Sequence, residues 1–183
     1  MADFRLDPAL VWLVSVAGAV LFASAATHKL RAPARFAQTL EEYALLPAWG
    51  VRPFGILLGG VEGALAVALL LPRTRAVGAL AAAALLLIYA VAMSINLVRG
   101  RRDIDCGCGG FGQRREIAPW MVARNLVVSG LLALLWLPAA DRALVPLDGV
   151  TVSGGCIALV LLYVACETLL SSWRPRVRGA GVS

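Results

Sequence analysis

RAVGALAAAALLLIYAVAMSINLV, residues 75–98, carries one charge, at Arg75, and no proline. A bilayer core about 30 Å thick is crossed by ~20 apolar residues as a helix, which satisfies its own backbone polar groups. The stretch therefore reads as a membrane span. Four more apolar runs accompany it: about Pro8 to Thr27, Pro53 to Leu71, Pro119 to Leu137 and Thr151 to Leu170. Pro53 and Pro119 sit near run starts and Pro72 and Pro138 near run ends, where proline costs a helix least. The expected fold is all-α, a polytopic membrane bundle of four core spans plus a fifth, C-terminal helix. That fifth run carries Cys156, Cys166 and Glu167 and is expected at the periphery.

Composition agrees. Hydrophobic residues make up 60% of the chain and charged residues 15%, with a mean hydropathy of +0.81, against an apolar share of about 45–50% in soluble domains. At 183 residues there is room for one bundle, expected over residues 1–173, followed by a disordered basic tail over 174–183. The N-terminus, with Asp3, Arg5 and Asp7 ahead of the apolar run, lacks the basic start of a signal peptide, so the first helix is expected to be retained. Between the first two runs, Phe36, Leu40, Tyr43 and Leu46 recur at spacings of three and four, one face of a short amphipathic helix along the membrane interface.

The net charge of +6 comes from arginine-rich loops, which read as topology and contact with lipid headgroups and exclude a nucleic-acid partner. In a five-span arrangement one side carries Arg5, Arg73, Arg75 and Arg142. The other carries Lys29, Arg31, Arg35, Arg52, Arg99, Arg101, Arg102, Arg114, Arg115, Arg174, Arg176 and Arg178. The positive-inside bias puts the latter side, with the loop after residue 98, in the cytoplasm. That face is opposite to the oxidising compartment where disulfides persist.

That loop contains Asp105-Cys106-Gly107-Cys108-Gly109-Gly110. A disulfide between Cys106 and Cys108 would close a very small, strained ring, suited to exchange rather than stapling. The adjacent arginines favour thiolate and Asp105 opposes it. The bland alternative is a pair of reduced thiols on a turn. No zinc site is expected, because zinc takes four ligands and the one histidine, His28, is distant; capture of a soft metal by two thiolates stays open. Cys156 and Cys166, ten residues and about 15 Å apart on one helix, cannot bridge each other and are expected to pack as small apolar residues.

Glu62 falls mid-span, where a lone carboxylate is expensive and needs a partner or a proton. Arg124, beside Asn125 in the fourth run, is the expected partner. Asn96, His28 and Lys29 lie toward the same end and complete a supporting polar cluster; a helix-end hydrogen bond is the structural alternative for Asn96, and for Lys29 taken alone snorkelling to the interface is the favoured expectation. The cluster acts either as a register-fixing ion pair or as a proton relay or substrate-binding group.

An ordered set of residues from His28 to Leu137 resembles the MauE (methylamine utilisation) family of DoxX-like membrane proteins. It comprises Lys29-Leu30, Pro33, Phe36, Leu40, Tyr43, Leu45-Leu46-Pro47, Glu62, Tyr89-Ala90, Met93, Asn96-Leu97, Arg99-Gly100-Arg101, Ile104 to Gly110, and Arg124-Asn125. The resemblance implies a four-helix bundle in the bacterial plasma membrane that serves processing, export or maturation of a disulfide-containing client, beside a thioredoxin-like partner. The expected activity is membrane thiol-disulfide exchange, an oxidoreductase with Cys106 and Cys108 as its reactive pair and a membrane quinone as candidate cofactor. The alternative is a non-enzymatic membrane chaperone, or a carrier of a small molecule or soft metal.

Overall fold

The computed structural model describes residues 5–105 and 117–172. Cys106, Cys108 and the basic tail lie outside the described residues. Six α-helices are described: α1 Pro8–Arg31, α2 Pro33–Tyr43, α3 Ala48–Leu70, α4 Arg75–Val98, α5 Pro119–Ala133, continued by a 3-10 turn Leu134–Trp136, and α6 Pro146–Ser172. All but α2 are long and apolar enough to cross a membrane. The protein is an integral membrane helix bundle.

The core of the bundle is α1 against α3 and α4 against α5, with α3 and α4 joined by a tight turn. At that turn Thr74 Oγ1 donates to the Ala68 carbonyl at 3.0 Å. A Cβ on Gly78 would fall 2.8 Å from Ala68 Cβ, so only glycine allows α3 and α4 to approach this closely. Phe22, Leu69, Ala79, Ala82 and Leu132 are fully or nearly fully buried between the four helices. Ser129 Oγ donates to the Ala83 carbonyl at 3.0 Å and ties α5 to α4. Large apolar side chains such as Ile56, Val77, Ile88 and Val127 face outward, as a surface solvated by lipid tails requires.

α6 is the peripheral helix: none of its span is buried inside the bundle. It packs beside α1, where a Cβ on Gly155 would meet Leu13 Cδ1 at 2.9 Å. At its start Arg142 bonds Asp148 at 2.7 Å and Asp7, the α1 N-cap, at 2.9 Å. Leu6 donates to the Pro138 carbonyl and Ala140 to that of Leu6, so the chain start is bound to the α5–α6 connection. Its hydrogen bonds from Arg142, then that from the Ala9 amide, hold the Asp7 carboxyl below the usual carboxylate range.

The helices α1 and α3 are offset along the bundle axis. Leu30, at the end of α1, lies level with Gly59, where a Cβ would come within 2.9 Å of Leu30 Cδ2. Since α3 begins at Ala48, it extends beyond the end of α1 by eleven residues, roughly 16 Å at ~1.5 Å per residue. The amphipathic α2 packs against that extra length: a Cβ on Gly55 would meet Phe36 Cδ1 at 3.1 Å. Phe36 and Tyr43 of the expected apolar face are buried.

Candidate functional site

This offset places Lys29 deep in the protein. Its helix ends two residues on and the ammonium is held inside the bundle, only 2% exposed, so it does not snorkel. It meets Glu62, which is 0% exposed, with Nζ donating to Oε1 at 2.7 Å and to Oε2 at 2.8 Å. Tyr89 of α4 donates its hydroxyl proton to Glu62 Oε1 at 2.6 Å. Three helices thus converge on one carboxylate. Each ion alone would be costly in hydrocarbon; paired, and with a third donor on the carboxylate, the charges cancel inside the bundle. Nζ also lies 5.0 Å from the ring centroid of Phe36 and 5.5 Å from that of Tyr89, within range of cation–π attraction.

The expected Glu62–Arg124 pair does not form. Arg124 turns toward the periphery, where Nη1 donates to the Tyr163 hydroxyl of α6 at 3.0 Å. Its guanidinium carbon lies 5.7 Å from the Trp120 ring and 5.8 Å from that of Tyr163. Nε and Nη2 donate to Asn125 Oδ1 at 3.4 and 3.2 Å. The expectation of snorkelling for Lys29 is likewise corrected.

Asn96 and Asn125 are buried. Asn96 Nδ2 donates to the Ala92 carbonyl at 3.2 Å, the helix-end bond anticipated for it, while its Oδ1 and Asn125 Nδ2 have no partner among the described residues. His28 is half-buried. No described hydrogen bond joins it, Asn96, Asn125 or Arg124 to Glu62, so the six polar residues form not one cluster but a Lys29–Glu62–Tyr89 centre and separate positions around it. Tyr89 was missed as a partner; its place mid-span, a phenol hydroxyl in an apolar run, was the available signal. Tyr163 was missed for the same reason. Cys156 is half-buried and Cys166 faces outward, so Cys166 is not enclosed by the protein as expected of a packing residue.

A cavity of about 400 Å³ lies between α2, α3 and α4 with Lys29 at its floor. Phe36, Tyr43, Phe54, Tyr89 and Met93 are among its walls. Tyr43 and Met93 also belong to a second apolar cluster with Ile104, Ile117 and Met121, and Ile117 donates to the Ile104 carbonyl at 2.9 Å. Ile104 and Ile117 lie before and after the Cys-Gly-Cys segment, among the described residues. Ile104 and Ile117 therefore pack against walls of the cavity, at the end of the bundle where α1, α4 and α6 finish.

The fold and site define a class: polytopic α-helical membrane proteins with a buried lysine–glutamate ion pair inside the bundle. The family model of the methylamine utilisation protein MauE matches residues 7–138, and the chain belongs to this family. It is 36% identical to the methylamine utilization protein MauE of Paracoccus denitrificans, over 92% of this chain and 91% of that protein. The similarity to MauE of Paracoccus versutus is 39% over 92% and 91%, and to that of Methylorubrum extorquens 32% over 97% and 95%. No solved structure matches. Five apolar helices and this family place the protein in the bacterial inner membrane.

Proposed function

We propose that the protein serves methylamine utilisation as a membrane thiol-disulfide exchange component, with Cys106 and Cys108 as the exchanging pair. A thiolate of the pair attacks a disulfide of a thioredoxin-like partner or of a client, forming a mixed disulfide and releasing one partner sulfur as thiolate. The second cysteine then displaces the partner, leaving a Cys106–Cys108 disulfide and a partner dithiol. Run in reverse, the same two steps pass a disulfide outward. The client is a disulfide-containing protein whose maturation, processing or export depends on the exchange.

The observation that carries this reading is the sequence Asp105-Cys106-Gly107-Cys108-Gly109 in a family named for methylamine utilisation. Ile104 and Ile117, which cluster with Tyr43 and Met93, support it by bringing the chain before and after the pair together at one end of the bundle. Labelling of cells with a membrane-permeant maleimide, before and after mild reductant, tests it. Cys106 and Cys108 are expected to be partly oxidised and to become reactive after reduction. A pair that is fully reduced during growth on methylamine contradicts exchange and favours the non-enzymatic chaperone or carrier.

A further inference from the structure

The geometry points to the cavity between α2, α3 and α4 as a binding site for the ring of an isoprenoid quinone, one carbonyl accepting a hydrogen bond from Lys29 Nζ. The inference rests on the cavity alone and is independent of the thiol reading. Lys29 has three N–H donors. Glu62 takes two of them, and around the third the described contacts are the faces of Phe36 and Tyr89. A 2% exposed ammonium thus forms the floor of a cavity whose walls are otherwise almost wholly apolar.

The charge balance selects the head of the ligand. Glu62 already neutralises Lys29, so a carboxylate or phosphate entering the cavity would bury a net negative charge in hydrocarbon. A neutral acceptor adds none. An acyl chain alone would leave the donor unused, and an uncompensated polar group costs a few kcal/mol. Flat walls select the body: Phe36, Tyr43 and Tyr89 present aromatic surface near the floor, and about 400 Å³ lies within the ~300–1,000 Å³ typical of small-molecule sites. Entry is from the bilayer, because Leu57, Val61 and Ile88 line the cavity and are also 63%, 41% and 63% exposed on the lipid-facing surface. An isoprenoid tail can leave by that opening.

The test is equilibrium binding of radiolabelled decylubiquinone to the full chain in lipid nanodiscs. Saturable binding is expected, displaced by unlabelled decylubiquinone and not by equal concentrations of decylbenzene or oleate. Ala92→Phe, which fills the cavity without touching the ion pair, should weaken binding at least tenfold, and so should the double variant Lys29→Met/Glu62→Met, which removes the donor without stranding a charge. Should the double variant fail to fold, Ala92→Phe still decides. Absence of saturable binding, equal displacement by decylbenzene or oleate, or unchanged affinity in folded Ala92→Phe overturns the site. Loss of both cysteines should leave binding intact, so a failure here and a failure of thiol exchange are separable.

Discussion

At the scale of single residues the centre of the molecule is the Lys29–Glu62–Tyr89 arrangement. Removing one partner of a buried ion pair leaves an uncompensated charge and costs about 3–5 kcal/mol. Lys29→Met and Glu62→Gln should each lower stability by that order in detergent, as read by thermal unfolding, and the double variant should lose less than the two singles together. Additive losses would contradict the pairing. A parallel cycle of Glu62 with Arg124 should be additive, since Arg124 bonds Asn125 and Tyr163 instead. Tyr89→Phe removes one hydrogen bond to a carboxylate and should cost about 1.5–3 kcal/mol. That Glu62 needed a partner was legible in the sequence, because an intramembrane carboxylate is expensive wherever it falls. Which cation supplied it was not: two were available, and the choice depends on how far α1 reaches.

That reach belongs to the scale of elements. The spans and the amphipathic α2 were legible because apolar length and a 3.6-residue period act locally. The relative heights of the helices were not, since they are set by glycine contacts between elements, Gly59 against Leu30 and Gly55 against Phe36. Lys29 read as a surface lysine because α1 seemed to end at the surface, whereas α2 and the extra length of α3 continue past it. The same contacts make a testable contrast. Gly78→Val would drive a Cβ to 2.8 Å from Ala68 Cβ and should destabilise by about 1–3 kcal/mol through overpacking. Gly60→Ala meets nothing within 4 Å and should cost nothing. Thermal melts of the two variants in one detergent check this; equal melting temperatures would contradict the close α3–α4 approach.

At the scale of the whole molecule the two ends of the bundle differ. One end is a polar knot in which Arg142 joins Asp7 and Asp148. The Asp7 carboxyl is held below its ordinary range, chiefly by its hydrogen bonds from Arg142. Its contribution to stability is therefore full above the unfolded value near 3.9 and is lost as pH falls through the lower folded value. Asp7→Asn should remove that part of the acid dependence, measured as melting temperature against pH. The other end carries the aromatic cavity, the ion pair, and Ile104 and Ile117, which precede and follow the Cys-Gly-Cys sequence. Replacement of single cysteines tests the account most directly there, scored by growth on methylamine and by non-reducing gels. Cys106→Ser and Cys108→Ser should each abolish growth, with one of them accumulating a mixed disulfide to a thioredoxin-like partner, while Cys156→Ser and Cys166→Ser grow normally. Full growth of both loop variants, with no mixed disulfide in either, would contradict thiol exchange as the function of this protein.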